Sequence, residues 1–227
     1  MRHGIQTFSA ASNVRHTLQI ESQRYGAQLS WLDEAFDGRT VALPVSGLML
    51  DVTGVYLPKP SVVLACLAMD ALGHITSQLQ EDVLNQAAMM GRMSRHQIGG
   101  RNYILDVGHN SLACEFVTRS LRPVIPRSRR VVIFGALRDK DIDLMLPILR
   151  AYTGRVALVG VEGPRGRTVD ALETSWALLF GQTYWRSFAT LASALTELPS
   201  ELNLDDHVLI IGSFVLVADA LKHDLFN

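Results

Sequence analysis

The apolar run at 104–107 (ILDV) passes directly into Gly108, His109 and Asn110, so a carboxylate, a glycine, an imidazole and an amide crowd one strand end. No hydrophobic core requires those residue types. In an open α/β sheet, ligands gather beyond the carboxyl ends of the strands, where the next helix presents free N–H groups. There Asp106 can accept hydrogen bonds from ribose hydroxyls, Gly108 lets a ligand approach the backbone, and Asn110 or Ser111 caps a helix whose dipole favours anions. The plainer alternative is a turn closed by Asp106 and Asn110 with His109 half-buried beside it.

Four further stretches repeat the pattern. In GALRDKDID (135–143), Lys140 stands between two carboxylates, where it can neutralise a phosphate or a substrate carboxylate, or simply begin a solvated helix. EGPRGRTVDAL (162–172) makes a rigid loop into a helix capped by Thr168, with Arg165 either functional or merely solvated. LIIGSF (209–214) ends an apolar run in Gly212-Ser213, and the Ser213 hydroxyl can hold a ligand carboxylate or cap its own helix. In GRM (91–93), Arg92 can reach a ligand or brace a linker.

The elements that must position these residues alternate. From Tyr103 onward the pattern predicts strand 103–107, a helix from Ser111, strand 130–135, a helix from Ile142, strand 155–160 and a helix from Val169. A weak strand near Tyr184, a helix from Ala189, strand 207–212 and a last helix follow. Such βα alternation with short loops gives a mostly parallel sheet covered on both faces, that is, an α/β fold. Gly99-Gly100 signals a hairpin that adds an antiparallel edge strand. We therefore expect two domains, 1–90 and 91–227.

The first domain is less regular. It should contain strands at 5–8, 27–32 and 47–52, a helix capped by Ser12 or Asn13 and running to about Tyr25, and two helical stretches after the LPKP break. The first of those, from Ser61 to Leu72, is apolar almost all round and should be buried on most sides. Three strands and three helices are too few to cover it, so part of its sheet is expected from sequence outside these residues.

Composition narrows the function. The 227 residues are 48% hydrophobic, enough for a sizeable core, and Lys+Arg 21 against Asp+Glu 22 leaves a net charge of -1 with no basic block, which disfavours nucleic acid as a partner. Cys66 and Cys114 lie in apolar helical patterns and read as reduced packing residues, consistent with a cytoplasmic setting. The chain shows no signal peptide, no span of about 18 apolar residues and no metal-ligand spacing. It also has no GxSxG, no GxGxxG and no GxxxxGK[ST] phosphate loop.

Five landmarks fall in one order: LPKP (57–60), GRM (91–93), ILDVGHN (104–110), RDKD (138–141) with EGPRG (162–166), and GSF (212–214). Together they resemble the C-terminal part of the bifunctional dihydrofolate synthase/folylpolyglutamate synthase family of the Mur-ligase superfamily, whose bacterial members carry PGRF, DVAHN, DKD, EGPRG and GSF. The first 56 residues resemble the end of that family's central ATPase domain, with RYGAQLSW (24–31) before an antiparallel hairpin. Gly108 stands for the usual alanine, Ser61 for an asparagine, and GSFVLVAD lacks the His or Tyr that often follows the Phe.

The resemblance implies a fold, an activity and roles. Residues 91–227 would be the Rossmann-like glutamate ligase domain, and 1–90 a remnant of the central domain. The implied enzyme uses ATP and Mg²⁺ to convert a dihydropteroate or folate carboxylate into an acyl phosphate, which the amine of L-glutamate attacks. Arg92, Asp106 and His109, with Asn110 at the helix start, would lie on the nucleotide side, and Lys140 and Ser213 on the phosphate or glutamate side. The family's phosphate loop, Mg²⁺ ligands and modified lysine would lie upstream of Met1, leaving this chain inactive without its N-terminal P-loop half. Two other readings are a truncated, non-catalytic module that binds a nucleotide, a folate or a partner, and a stand-alone flavodoxin-like nucleotide binder.

Overall fold

A computed structural model describes residues 1–55, 57–75, 84, 86–181, 185–223 and 226. The chain folds as two compact units, Met1–Ala88 and Met89–Asn227. Among the described residues no helix is long and apolar enough to cross a membrane.

In the first unit, β1 (Gln6–Ser9) and β2 (Gln28–Trp31) pair in parallel across helix α1 (Arg15–Tyr25). Neither Ser12 nor Asn13 caps α1: residues Ser12–Val14 form a 3₁₀ turn, and the helix begins after Val14 with no side-chain cap. A short helix α2 (Leu32–Ala35) leads to an antiparallel hairpin of β3 (Thr40–Ala42) and β4 (Met49–Asp51). The strand β3, three residues long, is too short to stand out as a run in the sequence. It is fixed by Asp37, whose carboxylate accepts from the N–H groups of Arg39 (2.8 Å) and Thr40 (2.6 Å) and from the Thr40 hydroxyl (2.7 Å).

Helix α3 (Lys59–Ala71) corrects the expectation of burial on most sides. It buries Val62, Val63, Cys66, Leu67 and Asp70, while Ser61, Ala65, Met69 and Leu72 form an exposed stripe. The reason is geometric, since the cluster around Val41, Leu50 and Val52 supplies one apolar surface for it. The helix start is pinned by the Lys59 ammonium, which donates to the carbonyls of Val52, Thr53 and Val55. The second helix expected after LPKP falls largely outside the described residues.

The second unit holds a six-stranded sheet: β5 (Ser94–Ile98), β6 (Arg101–Asp106), β7 (Arg130–Phe134), β8 (Val156–Val159), β9 (Arg186–Phe188) and β10 (His207–Ile211). Its order is β5-β6-β10-β7-β8-β9, with only β5 antiparallel, as the Gly99-Gly100 hairpin predicts. Residues of β7 and β8 are buried throughout, which explains their unbroken apolar runs rather than alternation. The weak strand expected near Tyr184 is β9, starting at Arg186; Tyr184 itself lies outside the described residues.

Helices α4 (Ser111–Leu121), α5 (Ile142–Tyr152) and α6 (Val169–Phe180) pack one face through Cys114, Val117, Met145, Leu149 and Trp176. Helices α7 (Leu191–Glu197) and α8 (Phe214–Lys222) pack the other through Leu195, Leu216 and Val217. The start of α7 lies two residues beyond the expected Ala189 because Thr190 caps it, accepting from the Ser193 N–H. At the opposite end of the sheet, the fully buried Asp206 carboxylate takes both guanidinium nitrogens of Arg155 at 2.8 Å. Removing one partner of such a pair would leave a buried charge uncompensated.

The helices that leave β6 and β10 therefore depart to opposite faces of adjacent strands. By the general rule for open α/β sheets, that divergence marks the C-terminal rim as the place where a crevice forms. The rim is tight at Gly212, whose φ is +131° and where a Cβ would sit 2.3 Å from the Gly135 carbonyl oxygen.

Two expectations follow. Gly212→Ala should lower unfolding stability by on the order of 2–4 kcal/mol, read from the urea midpoint at unchanged slope, because backbone rather than a flexible side chain must move. In the first unit, the Thr40 N–H, then the Thr40 hydroxyl and the Arg39 N–H, hold the Asp37 carboxyl below its ordinary 3.8, at about 2. A carboxyl lowered by folding stabilises above its unfolded value and loses that contribution as pH falls through the folded one. The Arg39 and Thr40 amide resonances should hold their native shifts above pH 3.8 and collapse as pH drops towards about 2; shifts constant across that window would refute the turn.

Candidate functional site

The strand β6 ends on Asp106, which is 4% exposed. Its Oδ1 accepts from the Gly108 N–H at 2.7 Å and its Oδ2 from the Met93 N–H at 2.9 Å. Burial pushes its carboxyl up, while the N–H groups of Gly108 and Met93 and the charge of Arg92 pull it down. The carboxylate thus ties the turn at 91–93 to the end of β6. Met93 needs that tie, because its φ of +51° places a bulky residue in the left-handed region. The turn is further held by the Val107 N–H donating to the Gly91 carbonyl at 2.8 Å.

Gly108 turns out to serve the fold rather than a ligand. A Cβ there would lie 2.9 Å from Asp106 Oδ1 and 3.1 Å from the Ala113 Cβ, so the chain itself fills the space that the sequence suggested for ligand approach. Asn110, and not Ser111, caps α4, its Oδ1 accepting from the Ala113 N–H at 2.8 Å. His109 places Nδ1 3.0 Å from the Val107 carbonyl. That contact puts a proton on Nδ1, and Nε2 is the ring nitrogen left for a ligand.

Across the crevice, Ser213 is 1% exposed and caps α8, its hydroxyl accepting from the Leu216 N–H at 3.0 Å. Of the two roles open to it, capping is the one observed. The next residue, Phe214, contacts both Arg92, whose guanidinium carbon is 5.7 Å from the ring centroid, and His109, whose ring centroid is 5.6 Å away. In the sequence the only signal for Phe214 is an aromatic residue at the first position of a helix, in the GSF segment.

Lys140 belongs to a neighbouring cluster on the loops after β7 and β8. The Asp139 carboxylate bridges Lys140 Nζ (3.0 Å) and the Arg165 guanidinium (3.3 Å). The Lys140 ammonium first, then the backbone N–H of Asp139 itself and the Arg165 guanidinium, hold that carboxyl below its ordinary range. The loops are stitched by the Arg138 N–H to the Arg165 carbonyl (2.9 Å), the Arg167 N–H to the Ala136 carbonyl (3.1 Å), and the Arg138 Nε–H to the Gly166 carbonyl (2.8 Å). Because β10 lies between β6 and β7, the strands that lead into the Asp106 rim and into the Lys140 loop are two strand spacings, or roughly 10 Å, apart.

The rim can thus present an imidazole, several cations and helix starts to an anionic, hydroxyl-bearing ligand. Among the described residues no group of three or more His, Cys, Asp or Glu side chains could hold a metal ion.

A family model described as Mur ligase, glutamate ligase domain, matches residues 91–214. The dihydrofolate synthase/folylpolyglutamate synthase of Escherichia coli (strain K12) is 29% identical over 167 residues, which is 73% of this chain and 38% of that protein. The fold is similar to that of the E. coli FolC protein in complex with DHPP and ADP, with a TM-score of 0.77 at 24% identity over 97% of this chain and 53% of that one. It is also similar to a bifunctional folylpolyglutamate synthase/dihydrofolate synthase with Mn, AMPPNP and L-glutamate bound, at a TM-score of 0.76, 24% identity and the same coverage. The chain therefore spans only part of the relatives it matches, from 38% of the E. coli sequence to 53% of these solved chains.

The hydrogen bonds at Asp106 yield a contrast between two rim residues. Asp106→Asn sets an amide N–H against a backbone donor and should lower stability by about 1–3 kcal/mol, whereas His109→Ala should stay within about 0.5 kcal/mol. Chemical denaturation of both variants checks this, and equal losses would contradict the tie.

Proposed function

The chain belongs to the Mur ligase family through its glutamate ligase domain, and from that premise we propose that it is the C-terminal part of an ATP-dependent folate-pathway ligase. The reaction is the joining of L-glutamate to dihydropteroate, to a folate, or to both. The observation that carries this reading is the switch-point rim, with Arg92, His109, Lys140 and Arg165 spread over the ends of adjacent strands. The bound ligands of the related structures, ADP with DHPP in one and Mn, AMPPNP and L-glutamate in another, are of the chemistry such a rim suits.

On this reading a substrate carboxylate oxygen takes the γ-phosphoryl group of ATP and ADP leaves. The glutamate nitrogen then attacks the acyl carbon, phosphate departs, and the nitrogen loses a proton. What this chain contributes is positioning and neutralisation of charge. Arg92 and the Nε2 of His109 face the nucleotide, and Asp106 acts by holding the turn that carries Arg92. Asn110 and Ser213 act as caps that fix the starts of α4 and α8. Lys140, with Arg165, faces the glutamate or phosphate side, and Asp139 marks where a carboxylate is held between two cations. A phosphate loop and the ligands for Mg²⁺ would come from a P-loop-bearing half that these residues do not contain, and residues 1–90 would be the end of that ATPase domain. We place the working enzyme in the cytoplasm.

A second reading, a non-catalytic module for a partner, is favoured by the first unit, where Ile20, Val45, Met49, Met69 and Leu72 are exposed. Where such side chains join into one contiguous apolar patch, the patch marks an interface. One assay addresses both readings: incorporation of labelled L-glutamate into dihydropteroate or tetrahydrofolate, by the chain alone and by the chain mixed with a P-loop-bearing half. Product from the mixture alone is the expected result, and Lys140→Ala should reduce it by about 10- to 1000-fold. Product from the chain alone would overturn the dependence on a second half, and none in either case from folded material would favour the binding module.

A further inference from the structure

Phe214 is 56% exposed, although Leu216, Val217 and Ala220 of the same helix are buried. Its place is not free to vary, because Ser213 immediately before it is locked as the helix cap and Gly212 before that is pressed against Gly135. The ring thus stands at a fixed point on the rim. Two groups from two other segments meet it there: the guanidinium of Arg92, 5.7 Å from the ring centroid, and the imidazole of His109, 5.6 Å away with the planes at 44°.

An arginine at a rim has many rotamers, and a chain held only by its backbone would sample most of them. The face of an aromatic ring attracts a guanidinium through its quadrupole, and a tilted ring contact adds orientation to the imidazole. His109 has a second anchor in the Val107 carbonyl, and Arg92 has the charge of Asp106 nearby. With Phe214 between them, three segments that meet only in the folded rim are set in one arrangement.

We propose that Phe214 is a positioning residue, whose ring holds Arg92 and His109 in the orientation that receives the nucleotide. The role rests on the nucleotide reading of those two residues given above. Leucine offers similar apolar bulk without a quadrupole, and tyrosine keeps the ring, so Phe214→Leu and Phe214→Tyr separate this role from simple packing.

The test uses the full 227-residue chain. In isotope-labelled protein, the Arg92 Nε–H and His109 Cε1–H resonances carry ring-current shifts that Phe214→Leu should abolish and Phe214→Tyr preserve, with an unchanged melting temperature in both. Resonances unmoved by Phe214→Leu would overturn the proposal. Titration with ADP should then show affinity weakened by about 2- to 30-fold in Phe214→Leu and within about twofold of wild type in Phe214→Tyr. Undiminished ADP affinity in Phe214→Leu despite lost shifts would also overturn it. If the wild-type chain takes up no ADP by itself, the titration is run with the P-loop-bearing half added; no uptake there sinks the nucleotide reading of the rim, and the positioning role is then decided by the spectra alone.

Discussion

The site in the second unit depends on one buried carboxylate. Asp106 is the last residue of β6, and each of its oxygens accepts a backbone N–H, one from its own turn and one from the turn at 91–93. Burying a carboxylate is costly unless such donors compensate, and burial does raise this one. The compensation fixes three things at once. It supports the left-handed Met93, aims the turn that bears Arg92, and packs the carboxylate closely against Gly108, where a Cβ would lie 2.9 Å from Oδ1. A residue that reads as a ligand contact in sequence is, in the fold, first the support of its neighbours.

The sheet order extends that constraint across the rim. Placing β10 between β6 and β7 sends α4 and α8 to opposite faces, and the crevice between them needs no special sequence beyond the strand order. The sequence does contribute the Gly-Ser step after β10, where only glycine fits beside the Gly135 carbonyl and the serine spends its hydroxyl on the helix. On the other side of β10, the stitched loops carry Lys140 and Arg165 around Asp139. In these partly exposed ion pairs the shared carboxylate offsets the repulsion between the two cations.

Much of this was legible. The βα alternation, the hairpin at Gly99-Gly100 and the helix starts at Ser111, Ile142 and Val169 follow from periodicity and turn residues, and all lie where the sequence places them. The first unit was harder for physical reasons. Its β3 has only three residues and is defined by an Asp37 turn rather than by an apolar run, and α3 reads as uniformly apolar yet buries one side. At the rim, residue types alone do not show the division of labour. Ser213 and Asn110 have side chains equally suited to caps and ligands, and only the fold shows both as caps. Phe214 went unnoticed because an aromatic residue at a helix start carries no motif of its own.

These assignments bear on how charge is handled. The chemistry proposed for this chain passes through a phosphorylated carboxylate, which needs positive potential that does not reorganise during the reaction. In the second unit that potential comes from guanidinium and ammonium groups: Arg92 beside the Asp106 turn and the Phe214 ring, and Lys140 and Arg165 in partly exposed ion pairs with Asp139 on stitched loops. The supports are hydrogen bonds to backbone and a fixed aromatic face, which lose little when a ligand arrives. Flexible cations on a solvated surface would have to be ordered by the ligand at the expense of its binding energy. The burial of Asp106, unfavourable in itself, is therefore what allows a half-exposed rim to act as a preset electrostatic surface.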